Sequence, residues 1–394
     1  MHKFMNFDLF IQILKGSIYE LWWLIFPIVF FVFFAFILNY YRELRSADSE
    51  LAGLDFVELV FSEKVLQRPI KLMENIIDDL VNLDFKKSRI SFEVVCTNNH
   101  LRFFIGVPKE NKKSLEILIY SQYPQLRVVN EDNYLSTLPP MAFSKHINFV
   151  GKQMKFKKNN LMSILTYKDF KDVGKDDKKS LVKDPYSILM ELFSRINYED
   201  IFCLHIIVQN INKKDKEDLK QEIENEKNKM QGIVKGIDPT SWFFNLFGSK
   251  SEPKELSDKD KETLEIMKSK AGSRLFKTNL SYGYFSPFEE NVELVGGILK
   301  IFFNNYENKN ALEEVKPREA KGLLAKKRQE ILDKDLVKET YLNILNRKAS
   351  KNYVYMSSEE IVSLFHFPLQ NVDFVSFWGQ TSRGIPPSDL PIFK

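Results

Sequence analysis

The chain has 394 residues, a formal net charge of +4, 44% apolar and 28% charged side chains, enough for real cores in two domains of ordinary size. Lys and Arg alternate with Asp and Glu along most of its length, which excludes the concentrated basic stripe of a dedicated nucleic-acid binder, so direct nucleic-acid binding is not expected. Two cysteines and five scattered histidines give no disulfide scaffold and no CxxC, HxxxH or HExxH spacing, so neither a metal nor another cofactor is expected.

Residues 1–45 read as a membrane anchor. Leu21 to Leu38 (LWWLIFPIVFFVFFAFIL) carries no charge, and about 20 such residues at 1.5 Å each span a hydrocarbon core of roughly 30 Å. The spacing predicts a single transmembrane helix over about 21–41. Trp22 and Trp23 at one end and Tyr40 and Tyr41 at the other form aromatic belts, and Arg42 and Arg45 close the segment. No small-residue cleavage site follows, as a signal peptide would require. Lys3 and Lys15 before the helix balance Arg42 and Arg45 after it, so the flanking charges leave the orientation tied. Residues 4–14 (FMNFDLFIQIL) read as a short amphipathic helix on the membrane surface.

A first domain is expected over 54–140. Phe56 to Phe61 reads as a strand, and Pro69 opens a helix whose Ile70, Met73, Ile76, Ile77 and Leu80 share one face. Ile90–Cys96 and Leu101–Val107 form a hairpin across turn-prone asparagines. A helix over Lys112–Gln122, ended by Tyr123-Pro124, and a strand over Leu126–Val129 follow. The order β-α-β-β-α-β is that of a ferredoxin-like sandwich, so the expected fold class is α+β.

A second domain over 145–356 is expected to repeat that order. Its elements are a strand at Leu161–Tyr167, a helix opened by Asp184-Pro185, strands at Ile201–Gln209 and Leu275–Phe285, a helix at Glu290–Tyr306, and a closing strand at Tyr353–Met356. Residues 211–273 then form one long helical insertion. It starts with a charged helix near Lys213–Met230, either a solvated arm or half of a coiled coil. Within it, Trp242, Phe243, Phe244 and Phe247 crowd a short segment, either a turn tucked onto the domain or an exposed tip that binds a partner. Lys309–Lys338 reads as a further charged helix. Cys96 and Cys203 lie in apolar runs as core thiols, a disulfide between them being left open.

No catalytic constellation emerges. Gly151-Lys152 and Gly174-Lys175 lack the upstream glycine and following Ser or Thr of a phosphate-binding loop. Asp78-Asp79 and Glu359-Glu360 fit solvated helix faces. His205, in an apolar strand, reads as a hydrogen-bonded core histidine; proton shuttling there would need a carboxylate neighbour.

Residues 357–394 form a C-terminal helix and a proline-rich tail. Ser357 and Glu360 make a capping box, Ile361, Leu364 and Phe365 give an apolar face, and Pro368 stops the helix. SFEVVCTNNHLRFFIGVPKE with LEILIYSQYPQLRVV, DPYSILMELFSRI with its following strand, and MSSEEIVSLFHFP followed by GIPPSDLP carry a resemblance. Together they resemble the membrane-anchored, ferredoxin-like region ahead of the motor in DNA-translocating ATPases of the type IV secretion and conjugation class, as found in small-genome bacteria of the candidate phyla. In that family Phe365, His366, Pro368, Pro386 and Pro387 match the phrase just before the motor. The chain departs from the pattern at Lys394, where a fused motor would begin. The resemblance therefore implies an anchor and adaptor in a split or truncated form, with the P-loop ATPase on a separate polypeptide, self-association, or both. It also implies a cell-membrane protein with a cytoplasmic main part. The competing expectation is a membrane-tethered, protein-binding scaffold of the cell envelope.

Overall fold

A computed structural model describes residues 26–27, 29–34, 54–60, 69–82, 89–98, 100–130, 134–137, 148–169, 184–231, 255–322 and 324–368. Contacts divide the chain into two units, Met1–Ala52 and Gly53–Lys394. In the first, Phe26 and Val29 to Phe34 are helical with exposed side chains. The rest of the expected anchor, with Trp22, Trp23, Tyr40, Tyr41, Arg42 and Arg45, lies outside the described residues. Among the described residues no helix is long and apolar enough to cross a membrane.

The second unit is an α+β structure built on one large antiparallel sheet. Its first half runs β1 (Leu54–Val60), α1 (Lys71–Asn82), β2 (Ile90–Thr97), β3 (His100–Pro108), α2 (Lys112–Gln122) and β4 (Arg127–Asn130). The helical spacing of Met73, Ile76, Ile77 and Leu80 sends all four into the core, each contributing about 1.5–3 kcal/mol by leaving water. Thr97 pairs with His100 across a two-residue turn, and Asn98 takes the φ of 53° that such a turn demands.

The second half runs β5 (Asn148–Phe156), α3 (Tyr186–Phe193), β6 (Ile201–Asn210), β7 (Leu275–Ser286), α6 (Glu289–Asn304) and β8 (Leu312–Glu314). The insertion between β6 and β7 holds α4 (Lys213–Met230) and α5 (Asp258–Gly272). Both start with capping boxes, Asn212 with Asp215 and Ser257 with Asp260. They bury Leu219, Leu264 and Met267 beside Leu161, Leu275 and Tyr355, so the charged α4 keeps one side on the protein. Then come α7 (Ala325–Asn346), β9 (Val354–Ser357) and α8 (Ser358–Leu364).

Strand order is β4-β1-β3-β2-β6-β7-β5-β8, with β9 also on β7. Counted outward from the β2–β6 pair, both halves read second, third, first, fourth. The two halves thus share one sheet, and buried apolar residues of both form a common core on one face. On the other face α7 sets Tyr341 and Ile344 against Val95, Phe104, Cys203 and Phe285. Gly283 allows that approach, since a Cβ there would lie 2.9 Å from Ile344 Cδ1.

Three expected elements differ. The half begins with β5, and Leu161–Tyr167 is not a strand. Leu161 and Ile164 are buried, but side chains satisfy their amides: Leu161 N donates to Asn159 and Ile164 N to Glu360. The outermost strand is β8 rather than Tyr353–Met356. Val354–Met356 fall in β9, which pairs Leu275–Thr278, the part of the β7 edge that β5 leaves open. Lys309–Lys338 is not one helix, because β8 lies within it and α7 starts only at Ala325. Cys96 and Cys203 are buried and free, which closes the disulfide alternative.

Candidate functional site

The strand pair joining the halves is held from both faces. Successive side chains of a strand point to opposite sides, so Phe92 and Glu93 of β2 face different layers. Phe92 packs on Phe365 just past α8, and Glu93 meets Arg347 at the end of α7. Residues 347–368 therefore cover both faces of the seam.

On the α7 face, Glu93 stands directly opposite His205 of β6 in the register. Arg347 grips the carboxylate with two bonds, Nε to Oε1 at 2.8 Å and Nη2 to Oε2 at 3.1 Å. Ser91 donates to Oε1 at 2.5 Å and Tyr134 to Oε2 at 2.8 Å. The Tyr134 oxygen is also 2.7 Å from His205 Nε2. A phenol has one proton; with that proton donated towards Glu93, Tyr134 accepts from His205, and the imidazole carries its proton on Nε2. His205 Nδ1 is buried without a hydrogen-bond partner. The Arg347 guanidinium also lies 4.1 Å over the Phe56 ring. Arg347 sits at φ 46°, a left-handed helix end that turns its side chain inward.

Glu93, His205 and Arg347 are all 0% exposed. Burial alone would raise the Glu93 carboxyl, but the charge of Arg347, joined in acid by that of protonated His205, reverses this and holds it at about 2. Burial pushes His205 down to about 4, against the pull of Glu93. An ionised carboxylate and a neutral imidazole thus share the seam, where they bind the halves together and present no face to a solute.

Acid sensitivity follows. The unfolded chain protonates this histidine near 6.5 and the folded chain only near 4, so stability should fall as pH drops from 6.5 to 4, by about 3 kcal/mol. Glu93, at 4.5 when unfolded and about 2 when folded, extends the loss from pH 4.5 towards 2. Urea unfolding at pH 7.5, 5.5 and 4.5 measures this. In His205→Gln the slope between 6.5 and 4 should flatten, and an unchanged slope would assign it elsewhere.

On the other face, Phe365 contacts Phe92 and Phe103, with centroids 5.2 and 5.6 Å away, and Phe367 contacts Phe103 and Tyr123. From the second half, Tyr186 donates to Leu364 O at 2.8 Å and Tyr306 to Ser363 O at 2.9 Å. Glu360 completes its capping box with Ser357 and pairs with buried Lys270 of α5 at 2.9 Å. His366 lies 3.2 Å from Asp184.

Of the residues singled out in the sequence, Phe365, His366 and Pro368 are thus core residues rather than an interaction surface. Trp242, Phe243, Phe244, Phe247, Pro386 and Pro387 lie outside the described residues. His205 does have the carboxylate neighbour that sequence could not supply. Among the described residues no group of three or more His, Cys, Asp or Glu side chains could hold a metal ion. No protein-family model matches the chain, and no curated protein matches it.

Proposed function

We propose that this chain is a non-enzymatic, membrane-anchored adaptor of a type IV secretion-like, DNA-translocating machine. Two ferredoxin-like domains would position a P-loop ATPase on the cytoplasmic side. The observation that carries the reading is the double-faced hold of residues 347–368 on the seam. It ties both halves to one short segment, as a positioning element requires. The mirrored strand order, second-third-first-fourth in each half, supports two ferredoxin-like domains. The uncharged run Leu21–Leu38 supports the anchor, as do the exposed helical side chains of Phe26 and Val29 to Phe34, which lipid accommodates better than water.

Affinity purification of the full chain from solubilised membranes is expected to recover an ATPase bearing a phosphate-binding loop. Protease added to intact cells should leave the residues after Gly53 uncut. Recovery without any ATPase, or cleavage from outside, would count against the adaptor.

A further inference from the structure

α6 buries Val295, Leu299, Phe302 and Phe303 and leaves an apolar line on its other side. Leu294 is 58% and Ile301 54% exposed, with exposed Gly297 between them. Glu290, Leu294, Gly297, Ile301 and Asn304 follow one another in steps of four and three, the spacing of a seam that meets another helix. Gly296 and Gly297 sharpen the point. Glycine is the poorest helix former after proline, yet a Cβ at either position would meet nothing within 4 Å. Packing among the described residues needs neither glycine.

We propose that this face docks against the same face of a second copy, the two α6 helices running antiparallel and crossing at Gly297. The charges choose the occupant and its direction. Glu289, Glu290 and Glu293 lie in the first half of the helix and Lys300 in the second. Parallel pairing would set Glu290 against its own copy. Antiparallel pairing sets Glu293 near Lys300, Leu294 near Ile301, and the helix dipoles head to tail. The contact is self-complementary, as a two-fold dimer demands. It stands apart from the adaptor reading and needs no ATPase.

Cysteine cross-linking of the full chain tests it, because Cys96 and Cys203 are buried and do not compete. Leu294→Cys and Ile301→Cys chains, co-expressed and oxidised, should form the mixed disulfide dimer. Either variant alone should give at least tenfold less, since its cysteines would stand about 10 Å apart along the axis. Mixed cross-linking no higher than self-linking of an Ile117→Cys control on α2 would overturn the contact, and efficient self-linking of Leu294→Cys would overturn its direction. Adding Gly296→Ala and Gly297→Ala should act in opposite senses on fold and dimer. The melting temperature should rise by about 2–5 °C while the mixed cross-link falls at least tenfold. An undiminished cross-link in that more stable chain would also overturn the proposal.

Discussion

Arg347→Met is expected to destabilise the unit after Gly53 by about 3–5 kcal/mol, because it leaves the Glu93 carboxylate buried without its cation. The magnitude follows from an asymmetry. A buried ion pair contributes little over a well-packed apolar substitute, since desolvation offsets the Coulomb gain, but an orphaned buried charge costs far more. Glu93→Leu with Arg347→Met should therefore recover part of the loss. Recovery stays incomplete because Ser91 and Tyr134 donate to the same carboxylate and would lose their acceptor. Methionine keeps an unbranched apolar side chain in place of the arginine stem, while the cation is lost both from Glu93 and from the face of Phe56. Urea unfolding of the two single variants and the double variant gives the coupling as a double-mutant cycle. A single-variant loss below about 1 kcal/mol, within the range of exposed ion pairs, would mean that the seam does not depend on this grip.

Sequence periodicity reached some parts of this structure and not others, for identifiable reasons. α1 was legible because its apolar spacing is set by one buried face, and the β2–β3 hairpin because its two-residue turn needs a residue such as Asn98 at positive φ. β5 escaped because Lys152 and Lys155 interrupt its apolar character and Gly151 resembles a loop residue. Leu161–Tyr167 misled in the opposite way. Leu161 and Ile164 are buried, but the amides of Leu161, Ile164 and Tyr167 donate to side chains instead of a ladder. The seam was half legible. A glutamate inside SFEVVC is anomalous in a strand buried on both faces, and it could have been flagged as needing a cation. Nothing local points to Arg347, which lies 254 residues away among other charged residues and is brought in only by the end of α7. Phe365 was read as the apolar face of a short helix, and that much is right. Its burial under both halves depends on β9 pairing with β7, which sequence order does not reveal.

Phe365→Ala should cost about 3–5 kcal/mol, the range for emptying a fully buried phenylalanine site. Leucine at the same position, closer in volume, should cost about 1–1.5 kcal/mol. The way the loss is distributed matters more than its size. Phe365 touches Phe92 and Phe103 in the first half, while the carbonyls of Ser363 and Leu364 just before it accept from Tyr306 and Tyr186 in the second. If residues 357–368 tie the halves, the cavity weakens both together. Hydrogen exchange of the amides in β3 and in β7 should then speed up by the same factor, within one cooperative unfolding event. The first-half contacts alone would predict another pattern, with β3 exchanging faster and β7 unchanged, and that outcome would reduce Phe365 to a local core residue. A shared response is what a positioning element needs. A force applied to residues 357–368 then reaches both halves of the sheet at once, through two aromatic contacts of Phe365 and two tyrosine hydroxyls.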